Sequence, residues 1–182
     1  MRRRQSPSPP IPRLWLMTDE RLGDRLWAAL ERLPRGSGIV FRHYRLPKAE
    51  RRKMFGQVAR IARRRNLMLV AAAADGLTTA RLDGVHNHTG RPHIHAGFRT
   101  ASAHNLREVI AACRRGADIV FLSPVYATRS HPGAKGIGAL RFGLLARGSR
   151  VPVIALGGMN AARGRRMKGL GAYGWAGIDA WS

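Results

Sequence analysis

From Phe121 to Gly138 the chain reads FLSPVYATRSHPGAKGIG, passing from apolar residues to hydroxyls, a histidine, a lysine and glycines. Ser123, Thr128 and Ser130 can donate neutral hydrogen bonds, His131 and Lys135 can add positive charge, and glycine lets a backbone approach a ligand closely. That inventory suits an oxyanion. Further on, Gly157 and Gly158 end the apolar run VPVIALGG and precede the helical pattern NAARGRRMKGL. Bare backbone N–H groups leading into a helix N-terminus are a ready-made phosphate site. A tight strand-to-helix turn would use the same two glycines. The 7 histidines form a second group, with HNH at 86–88 and HIH at 93–95. Residues at i and i+2 share one face of a strand, and imidazole suits zinc-like ions. Only Asp83 lies near as a carboxylate, so a structural or substrate-contacting role is favoured over a metal site.

Those residues need elements to carry them, and the chain alternates. Apolar segments at 13–19, 38–46, 67–74, 84–88, 93–100, 118–125, 151–158 and 174–181 read as strands. Between them, 21–33, 48–66, 102–116, 139–148 and 160–170 have helical spacing. In the second of these, Met54, Val58 and Ile61 share a face. Ser102 is the expected N-cap of the third and Gly116 its stop. Buried strands alternating with basic helices imply a parallel sheet covered by helices. Their eight-fold count predicts an α/β fold, a compact (β/α)8 TIM barrel with its fourth helix reduced. A doubly wound open sheet is the alternative, because complete barrels run to about 250 residues. In a barrel, chemistry gathers at the C-terminal strand ends. There the sequence places Thr18-Asp19, Arg42-His43-Tyr44, Ala71 to Ala74, His86-Asn87-His88, Thr100 to Ser102, Ser123 with Thr128, Ser130 and His131, Gly157-Gly158, and Ile178-Asp179.

The 182 residues, 45% hydrophobic, suffice for one buried core and not for two. Residues 1–12, basic and Pro-rich, are expected to be a disordered tail without the h-region of a secretory signal, and 13–182 the barrel domain. No apolar run reaches the roughly 20 residues of a membrane span. The only cysteine, Cys113, rules out a disulfide framework, so a cytoplasmic location is expected. The net charge of +23 favours polyanions or phosphorylated small molecules. Its arginines are spread over helix faces, and aromatics at 7% with no arginine interleaving argue against nucleic acid. The expected partners are phosphorylated small molecules. Oligomeric state is left open.

In order and spacing, GADIVFLSPVYATRSHPGAKGIG, VPVIALGGMN and GAYGWAGIDA resemble the second half of the thiamine-phosphate synthase and thiazole tautomerase family. Upstream, RLWLMTD, FRHY, LDGVHNH and SAHNLREVIAACRRGAD match its remaining segments, so the resemblance covers nearly the whole chain after residue 13. It implies a transferase that joins hydroxymethylpyrimidine diphosphate to thiazole phosphate, forming thiamine phosphate and releasing diphosphate. Arg42 falls on the arginine that contacts the pyrimidine diphosphate. A guanidinium holds phosphate oxygens bidentately as leaving-group charge grows, although a salt-bridged strand-end arginine would look the same in sequence. Thr128 and Ser130 fall on the hydroxyl pair at the thiazole phosphate, and Ser102 on a serine facing the diphosphate. Lys135 is a substitute for the family lysine, where this chain has His131.

The departures are specific. Family synthases hold Mg²⁺ with an aspartate after the third strand and another past the fourth. Here Ala71-Ala72 and Arg91 stand at those places, so no metal ligand is assigned. Mg²⁺ would enter only with the substrate diphosphate, unless Arg91 supplies the charge. Tyr44 replaces a lysine, and Ile178-Asp179 replaces a final Ile-Ser. A pocket rich in histidine and lacking magnesium ligands also fits the tautomerase branch, which needs a general base and no metal, with His104 and His131 as candidates. Against this, Pro124 stands where that branch places its base. A non-catalytic phosphate-ligand-binding relative is the remaining alternative.

Overall fold

The structure is a computed structural model that describes residues 10–74, 76–77, 82–87, 97–128, 133 and 135–181. Its strands are β1 (Leu14–Met17), β2 (Gly38–Phe41), β3 (Met68–Ala72), β4 (Gly84–His86), β5 (Phe98–Ala103), β6 (Ile119–Leu122), β7 (Val153–Leu156) and β8 (Gly174–Gly177). All neighbours pair in parallel, and β8 returns to β1 with Leu14 opposite Trp175 and Leu16 opposite Gly177. The sheet is therefore a closed barrel in sequence order, which decides against the open sheet.

Helices α1 (Arg25–Arg32), α2 (Lys48–Arg65), α3 (Leu106–Arg114), α4 (Ala139–Arg147) and α5 (Ala161–Lys168) cover the outside. Among the described residues the β3–β4 and β4–β5 connections contain no helix. Residues 78–81 and 88–96 of those connections lie outside the described residues.

Bulky apolar residues fill the bore. The Trp15 ring meets Phe121 edge-on at 5.3 Å and stacks on Phe98 at 6.4 Å. Its indole N–H donates to the Pro12 carbonyl at 2.8 Å. Gly38 makes room for it, since a Cβ there would lie 2.2 Å from the indole ring. Truncating Phe121, wholly buried, would cost about 3–5 kcal/mol. Packing begins before residue 13: Ile11 rests against the core, and its carbonyl accepts from the Tyr173 hydroxyl at 3.0 Å.

Three details depart from the sequence reading. Ser102 lies within β5, and the N-cap of α3 is Asn105, whose side chain accepts from the Glu108 N–H. β5 extends to Ala103 because its outer half, TASA, pairs with β6 residue for residue, a signal that small polar residues conceal. The buried face of α2 is Arg51, Phe55, Val58, Ala59 and Ala62, with Met54 and Ile61 at its margin. An arginine thus opens an apolar stripe at the i, i+4, i+7, i+11 spacing of a helix.

Candidate active site

At the C-terminal rim, β6, β7 and β8 end around a cavity of about 480 Å³. Gly157, Gly158, Thr128, His104, Ser123, Ile178, Asp179 and, from β2, Arg42 all line it. Both glycines have left-handed backbones, with φ 96° and 60°. A Cβ on Gly157 would come 2.7 Å from the Pro124 Cα, and one on Gly158 would come 2.6 Å from the Ala127 carbonyl oxygen. Only glycine fits this turn and leaves the backbone bare. Among the described residues neither glycine N–H donates to a backbone carbonyl. Immediately beyond, Asn160 caps α5 by accepting from the Arg163 N–H at 2.9 Å. The turn is thus a strand-to-helix connection with the bare backbone that an anion site requires.

Arg42 sits just past β2 and is partly salt-bridged. Its Nη2 reaches Asp19 Oδ2 at 3.0 Å, and its Nε donates to the Thr18 carbonyl at 3.1 Å. Asp19 also accepts from Arg21 Nε at 2.9 Å. Burial works to raise the Asp19 pKa, but the Arg21 hydrogen bonds and the charges of Arg21 and Arg42 outweigh it, so the group titrates below its ordinary value. Arg42 is held in place and, among the described residues, its Nη1 makes no hydrogen bond, which suits a group that must present charge to a ligand. Asp179 is within electrostatic reach of Arg21, so its charge is shared with that arginine as well as the cavity.

His104 donates from Nδ1 to the Ser123 carbonyl at 2.7 Å. A carbonyl can only accept, so in the neutral ring the proton is on Nδ1, and among the described residues the Nε2 lone pair accepts no hydrogen bond. Ser102 stands away from the cavity lining, its hydroxyl 3.2 Å from His86 Nε2. His86 Nδ1 is 2.8 Å from the Thr100 hydroxyl. Burial, with a smaller contribution from the charge of Arg42, lowers the His86 pKa to about 3, so this ring stays neutral. His43, buried against Phe41 and bonded to Thr18, is also pushed below its ordinary value by burial.

The β2–β3 side of the rim is built differently. The Arg51 guanidinium donates to the carbonyls of His43 at 2.7 Å, Ala72 at 2.6 Å and Ala73 at 2.9 Å. Ala73 adopts φ 45°, an uncommon conformation for a residue with a Cβ. Magnesium takes carboxylate oxygens. At this strand end the side chains are methyl groups and the carbonyls of Ala72 and Ala73 already serve a cation. Among the described residues no group of three or more His, Cys, Asp or Glu could hold a metal. The described residues do not fit a resident magnesium ion.

Of the expected site residues, the cavity unites Arg42, His104, Thr128, Gly157, Gly158, Ile178 and Asp179. Tyr44, about half exposed, and Lys135, exposed, do not line it. Arg91, Ser130, His131, His88, His93 and His95 lie outside the described residues. Arg51, Asn160 and Arg163 are contributors that sequence reasoning passed over, and Asp19, which it placed at the rim, proves to be the partner of Arg42. Helical spacing from Phe55 would have pointed to Arg51.

A closed parallel barrel with a small-molecule cavity at its C-terminal rim defines a (β/α)8-barrel enzyme architecture. The family model described as thiamine monophosphate synthase matches residues 14–181, and the chain belongs to that family as a thiamine-phosphate-synthase-like enzyme. A putative thiamine-phosphate synthase 2 of Aquifex aeolicus is 31% identical over 183 residues, covering 93% of this chain and 97% of that protein. A thiamine-phosphate synthase of Geobacillus thermodenitrificans is 40% identical over 82 residues, 43% of this chain and 37% of that one. Among solved structures, a thiamine phosphate pyrophosphorylase from Pyrococcus furiosus superposes with a TM-score of 0.74 at 23% identity, over 92% of this chain and 86% of that one, a likeness of fold. No helix among the described residues is long and apolar enough to cross a membrane.

Proposed function

We propose that this enzyme transfers the hydroxymethylpyrimidine group from its diphosphate to a thiazole phosphate, giving thiamine phosphate and diphosphate. The observation that carries the reading is the turn at Gly157 and Gly158, whose N–H groups donate to no backbone carbonyl among the described residues, opening on a cavity that Arg42 also lines. The thiazole phosphate sits on the glycine N–H groups, with Thr128 and Ser130 donating hydroxyls. The C–O bond to the diphosphate breaks with its electron pair on the departing oxygen, and the thiazole nitrogen lone pair forms the new C–N bond. Arg42 presents its uncommitted N–H groups to the growing negative charge. The family resemblance would add Arg91 and His131 on the diphosphate side, whereas Tyr44, Ser102 and Lys135, which do not line this cavity, are given no role there. No step is routed through a metal.

A second reading follows from His104. His104 lines the cavity with its Nδ1 engaged by the Ser123 carbonyl, so its Nε2 would be the base offered to a bound thiazole phosphate, as a tautomerase-like proton transfer needs. Incubation with pyrimidine diphosphate and thiazole phosphate carboxylate, with and without EDTA, tests both. Thiamine phosphate formation supports the transferase, aromatised thiazole alone supports the second reading, and neither product refutes both. Strict Mg²⁺ dependence would rule out an arginine as substitute for the metal.

A further inference from the structure

We propose that Arg163 is the charged member of the phosphate cradle and makes this rim select a phosphate dianion over an uncharged acceptor. The inference builds on reading Gly157-Gly158 as a phosphate site and adds the residue that supplies its charge. Backbone N–H groups and Thr128 are neutral donors, and Asp179 on the same wall is negative. The other arginine of the lining, Arg42, is paired with Asp19 and assigned to the diphosphate, so a dianion on the glycines needs a second cation beside it, and Arg163 lines the cavity next to them.

Its position is imposed by the fold. The backbone N–H of Arg163 is tied to the Asn160 cap, which sets it in the first turn of α5. The next residue, Gly164, is buried so tightly that a Cβ would lie 2.3 Å from the Trp175 ring. α5 therefore cannot rotate without collision, and Arg163 stays on the rim side. Its guanidinium carbon lies 4.5 Å from the centre of the Tyr126 ring, and Nη1 donates to the Gly158 carbonyl. Tyr126 is itself anchored, its hydroxyl donating to Met167 Sδ at 3.5 Å. A guanidinium resting on an aromatic face and pinned at one nitrogen keeps its other N–H groups available and loses little freedom when an oxyanion arrives.

Inorganic phosphate binding by calorimetry, with KM and kcat for the phosphorylated thiazole, tests this. Arg163→Met should weaken phosphate about tenfold, the loss of one exposed charge-assisted hydrogen bond, and raise KM by a similar factor with kcat unchanged. Arg163→Lys should recover part of the loss. Arg165→Met removes an equal charge from an exposed position of the same helix and should change affinity less than twofold. Equal losses in the Arg163 and Arg165 variants would mean that only the +23 field acts, overturning the proposal. Undiminished phosphate binding by Arg163→Met overturns it while leaving the cradle intact. Failure of the wild-type protein to bind phosphate would remove the cradle and this inference together. Arg163 is exposed and gives up only its contacts with Tyr126 and the Gly158 carbonyl, so its variants should unfold within a few degrees of the wild-type temperature.

Discussion

The two halves of the barrel rim solve opposite problems with the same residue type. On the β2–β3 side, Arg51 enters from α2 and donates from all three nitrogens to the carbonyls of His43, Ala72 and Ala73, closing the strand ends. On the β6–β8 side, Arg163 rests on Tyr126 at the edge of an open cavity floored by bare glycines. One arginine is structure and the other is available for a ligand. The open half keeps the glycine pair and hydroxyl of the family pattern, whereas the closed half has lost the carboxylate that the family resemblance leads one to expect and contains a covalently attached cation instead. Arg42 faces both, with Asp19 on one side and the cavity on the other.

The comparison is broken most severely at Arg42. Arg42→Met should lower kcat/KM for thiamine phosphate formation by roughly 100-fold or more, the usual loss for one donor aimed at developing oxyanion charge. Asp19 keeps Arg21 as its partner, so the melting temperature should move by only a few degrees. A large thermal shift with preserved turnover would assign Arg42 to the closed, structural half.

Arg51 should behave in the reverse way. Arg51→Leu strands the carbonyls of His43, Ala72 and Ala73 at a buried strand end, which should cost about 3 kcal/mol by denaturant unfolding. Arg51→Lys, with one ammonium for a three-nitrogen fork, should recover only part of it. Diphosphate affinity measured below the unfolding transition should change little. If it collapses while stability holds, the guanidinium serves ligand and the two halves are alike.

Between the halves lies the bore, where His86 is neutral. Its folded pKa of about 3 is below the ordinary 6.5, so unfolding takes up a proton between those values. The stabilisation from keeping this ring neutral is complete above pH 6.5 and disappears as pH falls toward 3, with a slope of about 1.4 kcal/mol per pH unit. His43, shifted the same way by burial, adds to the trend. His86→Gln should flatten the wild-type slope in urea unfolding measured from pH 7 to pH 5. Parallel slopes would show that His86 is charged in the folded chain.

Much of the open half was legible in sequence and little of the closed half was. Gly157-Gly158 stand out because an apolar strand ends in two residues without side chains, and the barrel follows from apolar runs of the right length between helical patterns. Arg51 is hidden in KAERRKMFGQVARIARRR, where one more arginine carries no signal until the helix is known to bury that face. The Asp19–Arg42 pair joins two different strands and depends on their register, which local pattern does not encode. Ser102 was misplaced because a serine before a helical run satisfies the N-cap rule, while the pairing that keeps it in β5 is made with β6, far along the chain.

The finest test concerns how firmly the open half is held. Asn160 accepts from the Arg163 N–H and is the N-cap of α5. Asn160→Ala removes it and should cost about 1 kcal/mol, whereas Asn160→Gly should cost a few tenths because glycine tolerates the cap conformation. Both changes leave Gly164 locked on Trp175, so the helix keeps its place and only its first turn loosens. If the cavity wall depends on that turn, phosphate affinity should fall more in the alanine variant than in the glycine variant, in step with stability. Equal affinities despite unequal stabilities would mean that the glycine pair alone shapes the rim, and that the order of the open half comes from the strand end and owes nothing to the helix.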